Sequence, residues 1–490
     1  MLVLKQVLCI DGCGPARGLA AAFVLALLFV LPVACGEETK AGRAAEPDPA
    51  DPVGAAPAGR PSVVVILADD LDRAAFHRST LDSAWTPEGT SFTNALATTS
   101  LCCPSRASIF RGQYSHNTGL INNGNDEPGG GAKFFRESGL EDETLATVLR
   151  DDGYETWFGG KYLNGFEEDG GWLGYVPPGW DHWQAYLSPD IAFQDGVVND
   201  MEGHRTDWLS GKATEFIGDQ RGSSKPFFMH ISPWDTHTPL VAPERHEDAY
   251  PRARAPRPPS FDEADVSDKP AWIREKAPLK EREVARFDRH HGARMRGALT
   301  LEDLSRDVVA ALSRAGRLND TYLIFTSDNG YHMGLHRIRG EKWTPYTEAH
   351  EVPFVVRGPG VSENKTFDGL VANTDIAPTV LDLAGLSPPE WMDGRSFTPF
   401  LDGTAPEDWR SSLLIEGANH QRQKRPGYSG VRREDDVYVR YATGEEEYYD
   451  LAHDPYQLQN RPDAAPPGIK QDLKALENCA GQTCTEAENP

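Results

Sequence analysis

The chain has 490 residues, 39% of them hydrophobic, and sets 49 basic against 74 acidic side chains, a formal net charge of −25. That length allows one large domain with a substantial core plus a smaller companion. The acidic balance argues against a nucleic-acid partner, and an anionic substrate would have to meet positive charge gathered locally.

At the N-terminus, Lys5 and Arg17 precede the apolar run "GLAAAFVLALLFVLPVAC", which ends at Cys35. Residues 1–35 read as an export signal; the run is short for a membrane span, and Pro32 interrupts it. Cys35, ahead of Gly36, is a lipidation candidate, although Pro32 stands where a lipoprotein signal usually has Leu. Secretion and a lipid anchor on the outer face of the cytoplasmic membrane both stay open. Either way the mature chain lies outside the cytoplasm. Residues 36–60 are rich in Ala, Pro and acids and read as a disordered linker.

Over residues 61–400, short β-branched runs alternate with helix-like segments. This is the pattern of an α/β domain, a large mainly parallel sheet flanked by helices. The predicted strands are "SVVVILADD", "YETWFGGK", "KPFFMHISPWDTH", "TYLIFTSDNG" and "VPFVVRGPG". Between them, apolar spacings of three and four predict helices in "DETLATVLRDDG", "HRTDWLSGKATEFIGDQ", "TLEDLSRDVVAALSRAG" and "TDIAPTVLDLAG". The Pro-rich stretch 251–270 reads as a long surface loop. From 401 to 490, "SSLLIEG", "GYSGVRR", "DVYVRYA" and "EEYYDLAHDP" predict a small antiparallel sheet, closed by a helix over 468–477. Of the seven cysteines, Cys9 and Cys13 leave with the signal, and Cys479 and Cys484 are spaced for a short-loop disulfide. Cys102 and Cys103 remain, side by side and too close for an easy mutual bond.

Four predicted strands run straight into reactive residues. "VVVIL" leads to Asp69 and Asp70, "YLIFT" to Asp328 and Asn329, "YETWF" to Lys161 after two glycines, and "FFMHIS" to His237. Open α/β sheets bind ligands outside the carboxyl ends of their strands. Three carboxylates and an amide brought to that rim make an all-oxygen set, suited to Ca²⁺ or Mg²⁺ and not to Zn²⁺. Singly, Arg106, Lys161, His237 and Lys342 read as surface or loop residues. Beside a cation they make an anion pocket, in which Arg forks an oxyanion, Lys supplies point charge and His can donate a proton.

The segment "CCPSR" fits the C-x-P-S-R pattern, and with it the chain resembles the sulfatase family. "ASIFRG", "GKYLN", "IFTSDNGYHMG", "VPFVVRGPG", "TDIAPTVLDLAG" and "EYYDLAHDPYQLQN" extend the resemblance over nearly all of residues 61–484. The terminal cysteine pair, "CCPSRAS" and "GKYLN" look most like the N-acetylglucosamine-6-sulfatase branch. The resemblance implies that a formylglycine-generating enzyme oxidises Cys102 during maturation, Cys103 merely filling a free position. It implies a divalent cation, usually Ca²⁺, held by Asp69, Asp70, Asp328 and Asn329 with modified Cys102 also in contact. Arg106 would hold the formylglycine, while Lys161, His237 and Lys342 would grip the sulfate and the leaving oxygen. One position departs from many arylsulfatases: Leu163 stands where a histidine often follows the pocket lysine. The base for the elimination step is then open, with His116 as a candidate or as a structural loop histidine. The expected function is hydrolysis of a sulfate monoester, on a sugar or another sulfate ester. The rivals are a phosphonate or phosphate monoester hydrolase of the same superfamily, and a carbohydrate-binding protein in which Cys102 stays a thiol.

Overall fold

The computed structural model describes residues 59–168, 174–420 and 424–490. The expected export signal, its lipidation candidate Cys35 and nearly all of the 36–60 linker lie outside the described residues. Sixteen strands form three sheets: β1 (Ser62–Ala68), β2 (Thr90–Phe92), β3 (Ala95–Leu96), β4 (Glu155–Gly160), β5 (His182–Tyr186), β6 (Ile191–Gln194), β7 (Val197–Asp200), β8 (Phe227–Ser232), β9 (Thr321–Ser327), β10 (Phe354–Arg357), β11 (Lys365–Phe367), β12 (Val371–Ala372), β13 (Leu413–Gly417), β14 (Tyr428–Arg432), β15 (Asp436–Tyr441) and β16 (Glu446–Asp450). The main sheet has ten strands in the order β11-β2-β10-β9-β1-β8-β4-β5-β6-β7. At its centre β9, β1, β8, β4 and β5 all run parallel. Towards the edges β10, β6 and β7 run antiparallel to their neighbours.

The centre of this sheet is covered on both faces, which is why every residue of β1 and β8 is buried and most are apolar. Val63, Val65 and Leu67 pack on one side with Ala107, Ile109 and Phe110 of the helix Cys102–Arg111. Val64 and Ile66 point the other way, as the two-residue period of a strand requires. They meet Leu209 and Ala213 of the helix Arg205–Asp219 and Leu301, Leu304 and Val308 of a 35-residue helix, Glu281–Ala315. The sequence pattern marked only the second half of that long helix.

The tail forms the expected four-stranded antiparallel sheet, β13 to β16 in sequence order. Leu414, Val431 and Tyr438 on one face pack against Ile469, Leu473 and Leu476 of the helix Ile469–Leu476. Cys479 and Cys484 beyond it are disulfide-bonded, with Cα atoms 4.8 Å apart. Ile415, Val437 and Val439 on the other face pack on Ile338, Trp343 and Tyr346. At that seam the buried Glu447 carboxylate accepts hydrogen bonds from the hydroxyls of Tyr346 at 3.0 Å and of Tyr441 and Tyr449, each at 2.5 Å. Among the described residues, no helix is long and apolar enough to cross a membrane.

Candidate active site

The four strands that end in reactive residues are neighbours, in the order β9-β1-β8-β4. Asp69 and Asp70 follow β1, and Asp328 and Asn329 follow β9; all four are buried. Lys161 directly follows β4, where Gly160 takes φ 101° and lies so close to β8 that a Cβ would sit 2.0 Å from the Ser232 carbonyl oxygen. Only glycine lets the strand end close in this way. His237 lies five residues beyond the end of β8, in a turn.

Cys102 is the first residue of the helix Cys102–Arg111, whose ten residues are all buried. Pro104 fits this first turn because its missing N–H would have no intrahelical partner there. The Cys103 N–H is bound by Asn123 Oδ1 at 2.9 Å, and the Cys103 side chain belongs to the core. Gly112 ends the helix in a left-handed cap, φ 62°. Cys102 thus faces the rim and Cys103 the interior, which gives the adjacent cysteines separate places.

Around Cys102 Sγ the charges interlock. Lys342 Nζ lies 2.7 Å from it and also bonds Asp70 Oδ1, while Asp69 Oδ1 is 3.7 Å away. Lys161 Nζ donates to Asp69 Oδ2 at 2.6 Å. Arg106, fully buried on the same helix, donates to Asp328 Oδ2 at 2.9 Å and to the Lys161 carbonyl at 2.7 Å, and also reaches Ser232 Oγ. His237 Nε2 is 3.8 Å from Asp70 Oδ2, and its Nδ1 lies 2.8 Å from the Trp234 indole N–H. Cys102, Arg106, Lys161, His237, Lys342, Asp69, Asp70 and Asp328 are therefore in one cluster.

Buried charges need partners, and the balance here shows in their protonation. Burial opposes ionisation of Asp69, but Lys161, His237, Arg106 and Lys342 together hold its carboxyl well below the usual range. Asp70 is lowered too, against burial, chiefly by Lys342 and His237. Asp328 is raised by burial and by Asp69. Burial pushes the Cys102 thiol up to about 12 despite Lys161 and Lys342.

The residues fit a hard divalent cation. One ligand atom each from Asp69, Asp70, Cys102 and Asp328 lie within 4.8 Å of one another. The Asn329 side-chain oxygen beside them is buried without a hydrogen-bond partner, while its amide nitrogen donates to Asp70 Oδ1 at 2.6 Å. An acceptor left open in a polar cluster is what a metal ligand looks like before its ion.

Three contributors escaped the sequence reading. Arg294, in the middle of the long helix and 1% exposed, donates to Asp72 Oδ2 at 2.7 Å and to the Asp70 carbonyl. It thereby holds the turn in which Asp70 takes a left-handed φ of 62°. Thr236 Oγ1 donates to the Asp69 carbonyl at 2.6 Å, and Ser232 receives Arg106. None carries a local signature, since each acts from an element distant in sequence. His116 is placed outside the cluster: Nδ1 lies 3.3 Å from Glu416 Oε1 and Nε2 3.0 Å from the Cys479 carbonyl oxygen. With both nitrogens engaged it is a structural bracket, not a base for the reaction. Leu163 is 2% exposed, in the core.

Comparison with known proteins gives the family. The Sulfatase family model matches residues 61–386, and the model for the C-terminal region of N-sulphoglucosamine sulphohydrolase matches residues 335–477. An N-acetylglucosamine-6-sulfatase from Capra hircus is 33% identical over 477 residues, 87% of this chain and 85% of that protein. Among solved structures, one described as a complex with its substrate D-glucosamine-2-N,6-O-disulfate superposes with a TM-score of 0.73 at 21% identity, covering 88% of this chain and 99% of the other. A phosphonate monoester hydrolase from Silicibacter pomeroyi gives a TM-score of 0.64 at 21% identity, over 85% and 93% of the two chains.

Proposed function

Because the chain belongs to the sulfatase family and is a sulfuric ester hydrolase, we propose that it is exported and removes a sulfate monoester from a sugar, using a formylglycine made from Cys102 and a divalent cation. The observation that carries this reading is the meeting of Cys102 with three carboxylates, two lysines and Arg106 at the carboxyl ends of four adjacent strands. Burial raises the Cys102 pKa and disfavours a thiolate, in keeping with the oxidation that the family motif implies. When hydrated, formylglycine supplies two hydroxyls on one carbon, one to attack sulfur and one to release sulfate by C–O cleavage. A cation at Asp69, Asp70, Asp328 and Asn329 would lower the pKa of the attacking hydroxyl and offset charge on the transferring group.

The chain's own residues do the rest. Lys161 and Arg106 help to keep Asp69 ionised, and Arg106 ties β4, β8 and β9 together at the nucleophile. Lys161 and Lys342 supply positive charge where sulfate oxygens must sit, at low dielectric, without reorganising during the reaction. His237, on the solvent side of Asp70, is placed to protonate the departing sugar oxygen. Glucosamine 6-sulfates are the first substrates to try, given the names of the relatives.

The test combines mass and metal. The Cys102 peptide should carry an aldehyde in the active protein. Exhaustive chelation should abolish sulfate release, and Ca²⁺ or Mg²⁺ but not Zn²⁺ should restore it. An unmodified thiol with full turnover, or full turnover after verified metal loss, overturns the reading. The phosphonate hydrolases share the fold, and kcat/KM on matched sulfate and phosphonate esters should favour sulfate.

A further inference from the structure

Beside the reaction centre lies a cavity of about 200 Å³, lined by Arg286, Phe287, His290, Tyr331, Arg339 and Gly340. Its Tyr331 ring lies 5.0 Å from the guanidinium of Arg294, which donates to the Asp70 carbonyl. Tyr331 is two residues from Asn329 and Gly340 two residues from Lys342, so at most ~7 Å of backbone separates either from a site residue. Arg286 and His290 are four apart on the long helix and so share one of its faces.

The basic groups here differ in how they are engaged. Arg294, one turn further on, is committed to Asp72 and the Asp70 carbonyl. Arg339 is paired with Glu283 at 2.7 Å and bonded to the Ala277 carbonyl. Arg286 is not: its one hydrogen bond is a 3.2 Å contact to the Arg339 carbonyl, and it makes no ion pair among the described residues. The His290 ring and the Tyr331 hydroxyl have no hydrogen-bond partner among the described residues either, and their rings lie 5.5 Å apart. Burial and Arg294 push the His290 pKa down to about 4 against the pull of Asp70, with Arg286 adding to the push. Arg286 therefore brings an unpaired positive charge to this wall, although the whole chain carries −25. Three open polar groups around a space of about seven waters (~30 Å³ each) can take an oxyanion together with part of the sugar that carries it.

Resting on the sulfatase reading above, we propose that this cavity is a subsite for a second anionic group of the substrate, with Arg286 as its principal ligand. The group is a sulfate or a carboxylate on the same or the adjoining sugar, and the enzyme selects multiply charged glycans.

The test compares kcat/KM for a singly sulfated glucosamine, the same sugar with a second sulfate, and a disaccharide that adds a uronate. The wild-type protein should prefer one or both doubly anionic substrates. Preference for the disulfate identifies a sulfate in the cavity, and preference for the uronate a carboxylate. Arg286→Ala should lose ~10- to 100-fold on the preferred substrate, through KM more than kcat, and leave the singly sulfated one unchanged. Arg286→Lys should recover part of the loss, which a purely structural role would not predict. Equal loss on all three substrates, or no preference in the wild type, overturns the subsite. Absence of sulfate release from any ester would instead overturn the premise. Calorimetric titration of the disulfated sugar then decides the subsite alone: binding weakened by Arg286→Ala supports it, and binding indifferent to that change refutes it.

Discussion

A sugar alkoxide is far more basic than a phenolate, so the proton that His237 is placed to give matters unequally between substrates. General-acid help is typically worth ~10²–10⁴-fold. His237→Ala should therefore lose far more kcat/KM on a sugar sulfate than on an activated aryl sulfate. An equal drop on both would move the acid role to Lys342, whose Nζ is 2.7 Å from Cys102 Sγ. Arg294 acts one step further out, through the Asp70 carbonyl and Asp72. Arg294→Lys keeps the charge but loses the fork, and should weaken metal binding ~10-fold or more in a folded protein, read by metal titration. The two cases mark what the residues themselves disclosed. Asp69, Asp70, Asp328 and Asn329 stand at strand ends and Cys102 and Arg106 in a motif, so their types and spacing were enough to find them. Arg294 sits in a charged helix among other arginines, and only packing distinguishes it from Arg296 two residues on.

The first half of the long helix was hidden for a related reason. Its buried stripe over residues 287–297 is Phe287, His291, Gly292, Arg294, Met295 and Gly297, mostly small or polar, so the apolar period is faint. The hairpin of β6 and β7 was missed because Val197 and Val198 are exposed, and no burial pattern marks them. The tail, by contrast, was legible strand by strand, because its four short runs are rich in β-branched and aromatic residues and are separated by polar, turn-forming segments. Among the residues that join this tail to the region around the helix Cys102–Arg111 is His116, between Glu416 of β13 and the Cys479 carbonyl. Burial works against its protonation, but Glu416 raises its pKa from 6.5 to about 8. A raised folded value stabilises fully below the unfolded pKa and is lost as pH climbs through the folded one. The bracket should thus contribute up to roughly 2 kcal/mol below pH ~6.5 and fade through pH ~8. The gap in unfolding free energy between wild type and His116→Asn should narrow across that window. A gap that stays constant from pH 6 to pH 9 would refute the charged bracket.

In the whole molecule, the order β9-β1-β8-β4 is what turns four separate strand ends into one site. The sequence shows which strands end in reactive groups, but not that they are adjacent, because pairing order depends on how the intervening helices cover the two faces. That covering has a consequence in time. All ten residues of the helix that begins at Cys102 are buried, and Cys102 itself is 1% exposed. If, as proposed above, a separate enzyme oxidises Cys102, it needs access to a thiol that the finished fold buries. The oxidation and the folding of the central sheet are therefore competitors, and the slower one forfeits the molecule. Chain that folds with its thiol intact should stay a thiol when later given the formylglycine-generating enzyme, and should convert once denaturant frees the segment, as peptide mass across Cys102 will show. On that proposal, the fraction of active protein in any preparation is set by a race run once, during synthesis, and later incubation of folded material should not raise it.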